Sequence, residues 1–203
     1  MLTFEPGATL LGARLRSLLL GIGGDAAGGA EDAFLPPERA GSRTGEHSPT
    51  KICGAAELFL YLADRAQHVE EVLLPSLQAR KIVICDRFND STIAYQGAGR
   101  GLGMQRIAEL CKFASYGLEP DLVIILDLDP ETAISRLDRR EQPLRDRIEG
   151  EPIEFHRRVR EAYLTLAKSG GDRYCVVDAS NDPGTIAHKV HSEVVRRLES
   201  RGL

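Results

Sequence analysis

The stretch KIVIC, residues 81–85, is rich in β-branched side chains and has no polar residue after its first. Such a run predicts a strand buried on both faces. Two similar runs follow, LVIIL at 122–126 and YCVV at 174–177, and each of the three comes after a segment of helical periodicity, at about 54–75, 103–116 and 151–168. Helices that alternate with continuous apolar strands predict an α/β fold: a doubly wound parallel sheet with flanking helices.

The N-terminal residues add a further strand and helix. MLTF at residues 1–4 is a short apolar run that ends at the turn signal Glu-Pro-Gly, residues 5–7. Thr9 then stands at the capping position of a periodic segment with leucines on one face. We therefore predict a strand, a turn and a helix that Thr9 caps.

The composition fits one domain spanning residues 1–203, with 42% hydrophobic residues for its core. Residues 21–50 shift to glycine, alanine, proline, serine and charged residues without periodicity, so we predict a flexible insertion there. A last helix is predicted from about residue 183 to residue 199.

Charge and hydropathy exclude several classes of protein. The formal net charge of -4 argues against nucleic-acid binding, although an arginine cluster can still bind a small anion. The most apolar N-terminal stretch, residues 10–22, is short and carries Arg14 and Arg16. We therefore predict neither a signal peptide nor a membrane span, and a cytoplasmic protein.

The cysteines and histidines do not indicate a metal site. No cysteine pair has the CxxC spacing, and His188 and His191 have no cysteine or acidic partner at ligand spacing. We therefore predict no protein-held metal, and buried free thiols rather than metal ligands or disulfides at Cys53, Cys85, Cys111 and Cys175.

The residues that follow KIVIC are candidates for chemistry, because ligands of such sheets bind at the carboxyl ends of the strands. The segment DRFNDSTIAYQGAGRG occupies residues 86–101. Arg87 can place two donors on a phosphate, and Asp86 can hold that arginine or the water shell of a metal. Taken alone, however, Asp-Arg more often forms an ordinary surface ion pair.

Four motifs occur together in a fixed order. They are EPGAT at residues 5–9 with its helix, the helix around ELFLYLADRAQHV at 57–69, the segment 86–101, and PDLVIILD with DRIE at 120–127 and 146–149. This set resembles the thymidylate kinase family. The resemblance implies a P-loop NTPase-like fold of the nucleoside monophosphate kinases. It also implies phosphorylation of dTMP to dTDP with ATP and Mg²⁺ in dTTP biosynthesis, and it allows a homodimer.

The resemblance assigns dTMP binding to seven residues: Glu5, Tyr61, Arg65, Arg87, Thr92, Tyr95 and Gln96. It implies that Tyr61 stacks on thymine, that Arg65 hydrogen-bonds the base and that Thr92 faces the base edge. It implies that Arg87 holds the phosphate and that the Tyr95 ring crowds the 2′ position. From spacing alone, Tyr61 would instead pack in the core.

An arginine-rich lid is implied at residues 136–149. An arginine delivered to the phosphates can raise the rate of phosphoryl transfer by roughly 10³ to 10⁵. The alternative is a solvated charged turn, the usual state of such runs. By the resemblance, the catalytic residues are Arg139, Arg140, Arg147 and Asp86.

Two features depart from the family. No P-loop pattern, Gly-x4-Gly-Lys-Ser/Thr, occurs in the sequence, and Phe4 stands where the family usually has an arginine. We therefore expect that the first strand and helix of the fold are missing. We also expect that the chain as given has no appreciable kinase activity, and that adding an upstream strand and P-loop restores it.

Three interpretations of these departures stay open. The given start is internal or the chain is a fragment, which we favour. Alternatively, the chain is a dTMP-binding pseudoenzyme, or it is a subunit whose missing strand comes from a partner chain.

Overall fold

The computed structural model describes residues 1–20, 52–139 and 146–202. In these ranges the strands are β1 (Leu2–Phe4), β2 (Ile84–Asp86), β3 (Val123–Asp127) and β4 (Tyr174–Asp178). The helices are α1 (Leu10–Leu20), α2 (Gly54–His68), α3 (Leu74–Gln78), α4 (Asn89–Thr92), α5 (Met104–Ala114), α6 (Pro130–Asp138), α7 (Ile153–Gly170) and α8 (Pro183–Ser200). The predicted insertion at 21–50 lies outside the described residues.

The strands are parallel, as the alternation of helices and apolar runs predicts. β1 pairs with β2 with Leu2 opposite Ile84, and β3 pairs with β4 with Val123 opposite Tyr174. Within the described ranges the pairs form two separate two-stranded sheets, whereas the sequence predicted one continuous sheet. The α/β class and the parallel pairing of the strands are confirmed, whereas the described residues do not show the one continuous sheet.

The prediction that residues 81–85 form a strand buried on both faces is wrong. Only the last two of these residues are in β2, and the side chain of Ile84 is 60% exposed. In the other sheet, the side chain of Leu126 in β3 is 55% exposed. A strand is covered on both faces only where neighbouring elements cover it, and β1 is the single described strand that pairs with β2.

Two helical stretches change to π-helical hydrogen bonding. Residues Val69–Leu73 join α2 to α3, and Ile93–Gly99 continue α4. The first change directly precedes Pro75, which has no backbone N–H to donate to the preceding turn. The second π-helical stretch continues α4, so that residues 89–99 form one helical segment, which the sequence did not predict.

The segment 93–99 lies between two apolar clusters. Ile93 packs with residues of α2 and α5, whereas the adjacent Ala94 packs with Ile148 and with Phe155 and Val159 of α7. Consecutive residues therefore anchor opposite sides of the segment, which fixes the position of the side chains that it carries.

The cysteines are free, and they differ in burial. Cys111 is buried, as predicted, whereas Cys53 is exposed at the start of α2 and Cys85 and Cys175 are half-buried. Among the helices described, none is both long and apolar enough to cross a bilayer.

Thr9 caps α1, as the sequence predicts. Its Oγ1 accepts a hydrogen bond from the backbone N–H of Gly12 at 2.9 Å. An aspartate caps α6 and another caps α8 in the same way: Asp129 accepts from the N–H of Thr132, and Asp182 accepts from that of Thr185. Each cap satisfies a backbone donor that the first helical turn leaves unpaired.

Replacing Thr9 by alanine should lower the free energy of unfolding by about 1 kcal/mol, because the capped N–H of Gly12 loses its partner. Urea denaturation of the two proteins measures this difference. Ser17→Ala, at an exposed position in the same helix, is the control and should change stability by less than about 0.5 kcal/mol. Equal losses in the two variants would contradict the capping role.

Candidate functional site

A cavity of about 430 Å³ opens beside the start of α1, the middle of α2 and the segment 89–99. All seven residues that the resemblance assigned to dTMP binding line it: Glu5, Tyr61, Arg65, Arg87, Thr92, Tyr95 and Gln96. They come from three separate stretches of the sequence, residues 5–9, 57–69 and 86–101. The fold therefore brings together side chains whose proximity the sequence alone could not establish.

α2 contributes Tyr61 and Arg65, one helical turn apart. Arg65 is only 2% exposed, and both its Nε and its Nη2 lie 2.9 Å from Oε2 of Glu5. Its guanidinium also lies 5.3 Å from the centre of the Phe88 ring. Burial raises the pKa of Tyr61 to about 12, so this ring stays neutral near pH 7.

Arg87 directly follows β2 and lines the cavity. Its φ of 69° lies in the left-handed region, which is uncommon for arginine. The guanidinium lies 5.2 Å from the centre of the Tyr95 ring, at cation–π distance. A local backbone strain therefore accompanies the placement of this side chain at the cavity.

Glu5 is the centre of a buried hydrogen-bond network. Its Oε1 lies 2.8 Å from Nδ1 of His68, and Nε2 of the same ring lies 2.7 Å from Oγ1 of Thr3. Glu5, His68 and Cys85 come close enough to hold a metal ion. However, both ring nitrogens already have partners, and burial raises the pKa of Cys85 to about 12 and keeps it a thiol. The cluster fits a hydrogen-bond network better than a metal site.

Asp64, one residue before Arg65, holds the turn that follows Glu5. Its Oδ1 accepts from the backbone N–H of Gly7 at 3.0 Å. A Cβ on Gly12 would lie 2.3 Å from the same oxygen, so the close approach of α1 requires glycine there. Oδ2 is buried without a hydrogen-bond partner in the described structure, and burial raises the pKa of this carboxyl to about 6.

The residues predicted to be catalytic lie outside the cavity wall or outside the described ranges. Asp86 ends β2 with an exposed side chain, and Arg139 is exposed at the end of α6. Arg147 bonds to Oε2 of Glu57 at 2.5 Å and donates to the carbonyl of Leu19 at 2.9 Å. Arg140, and the lid prediction for 140–145, fall on residues that are not described.

The cavity wall includes side chains that the sequence did not assign to dTMP. Arg16 lines it and donates to the carbonyl of Pro6 at 2.7 Å. Arg136 and His156 line it as well. Arg16 stands two helical turns beyond Thr9 on the helix that follows EPGAT, a spacing that could have indicated it, whereas no sequence pattern pointed to His156.

An α/β fold with parallel strands and an arginine-lined cavity beside a strand end is the arrangement of a nucleotide-binding phosphotransferase. The family model for thymidylate kinase matches residues 43–190. The chain belongs to the thymidylate kinase family, whose members are kinases.

Curated relatives match nearly the whole chain. A thymidylate kinase of Maridesulfovibrio salexigens is 42% identical over 202 residues, which cover 97% of this chain and 82% of the relative. One of Desulfovibrio desulfuricans is 40% identical over 207 residues, with 100% and 84% covered. One of a Synechococcus species is 41% identical over 196 residues, with 97% and 80% covered. Nothing in these comparisons supports the alternative of a dTMP-binding pseudoenzyme.

The elevated pKa of Asp64 predicts a pH dependence of stability. Because burial raises this pKa from 3.8 to about 6, the folded state keeps a proton that the unfolded state releases between those values. The contribution of Asp64 to stability is therefore present at low pH and is lost as the pH rises through about 6.

Asp64→Asn cannot ionise and keeps an oxygen that accepts from Gly7. Relative to the wild type, its free energy of unfolding should increase from about pH 4 to about pH 7, as measured by urea denaturation at both values. A difference between the two proteins that is the same at both pH values would show that Asp64 titrates normally.

Proposed function

We propose that the cavity binds dTMP and that this chain acts in the transfer of a phosphoryl group from ATP to dTMP in the cytoplasm, the step that gives dTDP for dTTP biosynthesis. The observation that supports it most is the convergence of seven side chains from three stretches on one cavity. They include two aromatic rings, two arginines and a buried amide, which suit a base and a phosphate together.

The base end of the site is formed by Tyr61, Arg65, Thr92 and Gln96. Stacking of a base on an aromatic ring contributes roughly 1 to 3 kcal/mol. Arg65 uses its Nε and Nη2 on Glu5, and its Nη1 lies 3.4 Å from the weakly accepting sulfur of Cys111. The remaining N–H groups of its guanidinium can donate to a carbonyl oxygen of thymine.

The phosphate end of the site is formed by Arg87 with Arg16. Within the described ranges neither side chain forms an ion pair with a carboxylate, so no described acidic group directly pairs with their positive charge. Arginine donors suit phosphate oxygens because the bonds are charge-assisted. The Tyr95 ring beside Arg87 crowds the sugar on the 2′ side, which favours deoxyribose over ribose.

The transfer step needs positively charged groups beside the phosphoryl group that is transferred. Arg139 and Arg140 of the lid are the residues proposed to supply this charge, whereas Arg147, assigned with them by the resemblance, is already bonded to Glu57. Mg²⁺ with ATP is the implied metal, and it prefers oxygen ligands and keeps part of its water shell. The exposed carboxylate of Asp86, at the end of β2, fits this preference and would hold that shell. The metal would neutralise phosphate charge.

The test of the proposal is calorimetric titration of the chain with dTMP, thymidine and UMP. The wild type should bind dTMP more tightly than UMP, since thymine and deoxyribose are both recognised. Arg87→Met should weaken dTMP binding about tenfold or more and leave thymidine binding unchanged, because the bond it removes goes to the phosphate.

Arg173→Met is the matched control. Arg173 is bonded to Glu119 away from the cavity and its loss should change neither affinity. Equal wild-type affinity for dTMP and UMP, or a parallel loss of dTMP and thymidine binding in Arg87→Met, would refute these assignments.

We further propose that the chain forms a homodimer through α2 and α5. These two helices pack against each other, and each carries an exposed phenylalanine: Phe59 is 62% exposed and Phe113 is 85% exposed. Exposed aromatic side chains on neighbouring elements are typical of association surfaces.

Sedimentation velocity should show a dimer for the wild type, and Phe113→Glu should shift it towards monomer because the substitution places a charge on the contact. Tyr116→Glu, at a 62% exposed position just beyond the end of α5, gives a second probe. A wild type that sediments as a monomer at all concentrations would rule out the dimer.

A further inference from the structure

The carboxylate of Glu57 is completely buried on α2, one helical turn before Tyr61. Three side chains bond to it. The amide Nε2 of Gln96 lies 2.8 Å from Oε1, Nε of Arg100 lies 3.1 Å from Oε1, and Nη1 of Arg147 lies 2.5 Å from Oε2. No sequence motif assigns a role to this carboxylate, yet it joins α2 to the segment 93–99 and to the base of the lid.

Glu57 is ionised in this setting. Burial by itself raises the pKa of Glu57, but the hydrogen bonds from Arg100, Gln96 and Arg147 outweigh burial and lower it below the ordinary value. Arg100 is itself held by Glu151 at 2.5 Å and by the ring of Phe155 at 4.9 Å from its centroid. An ionised carboxylate accepts hydrogen bonds and donates none.

The ionised carboxylate of Glu57 fixes the orientation of the Gln96 amide. A glutamine amide can usually be turned either way, because its NH₂ and its carbonyl oxygen have nearly the same shape. Beside an acceptor that cannot donate, the NH₂ must face Glu57. Gln96 is 2% exposed and lines the cavity, and its carbonyl oxygen has no hydrogen-bond partner within the described ranges.

An acceptor at this place distinguishes pyrimidine bases. Thymine and uracil carry an N–H donor at N3, whereas cytosine carries a lone pair there and an amino group at C4. A carbonyl oxygen accepts a hydrogen bond from N3–H of thymine or uracil, and it repels the lone pair on N3 of cytosine. A site that hydrogen-bonds one group rejects an analogue without it, because a buried polar atom is then left unpaired.

We propose that Glu57 is a positioning residue for base selection: it holds the Gln96 amide in the one orientation that presents a carbonyl oxygen to N3–H of the bound base. This inference rests on the proposed dTMP site. Glu57 itself touches no nucleotide and acts through Gln96, while Arg100 and Arg147 keep the carboxylate in place.

Glu57→Gln tests the proposal, because the new amide can donate as well as accept and no longer fixes the orientation of Gln96. Affinities for dTMP, dUMP and dCMP are measured by calorimetry. dUMP and dCMP both lack the methyl group, so the ratio of their affinities depends only on the base-pairing edge of the ring. The ratio of the affinities for dTMP and dUMP reports contact with the methyl group.

In Glu57→Gln, the preference for dUMP over dCMP should fall about tenfold, while the preference for dTMP over dUMP stays the same. Glu193→Gln is the matched control, since Glu193 also bridges two arginines, Arg196 and Arg197, but lies on α8 away from the cavity. Its ratios should equal those of the wild type. A uniform loss of affinity for all three nucleotides in Glu57→Gln would reduce Glu57 to a structural role and overturn the inference.

A measurement on the wild type covers the case in which Glu57→Gln does not fold. The side-chain NH₂ signal of Gln96, identified by its loss in Gln96→Met, should exchange slowly with solvent and stay protected when dUMP is added. Loss of protection on binding would overturn the inference. Failure of the wild type to bind any of the three nucleotides would instead overturn the proposed function, and the inference with it.

Discussion

The buried ion pair between Glu5 and Arg65 is the interaction on which the site depends most. Glu5 is 4% exposed and stands just after β1, its backbone N–H donates to the carbonyl of Asp86, and its carboxylate binds both Arg65 and His68. Removing one partner of such a pair costs roughly 3 to 5 kcal/mol, because the other charge is left buried and unpaired. Through its backbone N–H and its carboxylate, Glu5 therefore fixes β1, the end of β2 and α2 relative to one another.

The second constraint is the close packing of the segment 93–99 against α7. A Cβ on Gly99 would lie 2.6 Å from the ring of Phe155, and one on Gly97 would lie 3.1 Å from the backbone of Met104. Both glycines are therefore required by contact rather than by backbone conformation. Their small size lets the segment lie flat between two clusters, so that Tyr95 and Gln96 reach the cavity from a rigid support.

The parts of this structure that could be predicted from sequence are those that depend on local pattern. The helices and strands that were predicted lie within a few residues of their observed bounds, since apolar periodicity and the Thr9 cap act over a few residues, whereas the helical segment 89–99 was not predicted. The exposure of Ile84 could not be predicted, because it depends on which strands pair with β2. The role inferred for Glu57 was equally hidden, since its partners lie 39, 43 and 90 residues away along the chain.

The exposed side chains of Ile84 and Leu126 have a consequence for how the protein behaves in solution. Each belongs to a strand that has a single hydrogen-bonded neighbour among the described residues. The free edge of such a strand offers N–H and C=O groups in a row, and an apolar side chain beside them strengthens the pairing with any other extended chain. Among the described residues, these two edges are therefore the places where another extended chain would add to the protein in solution.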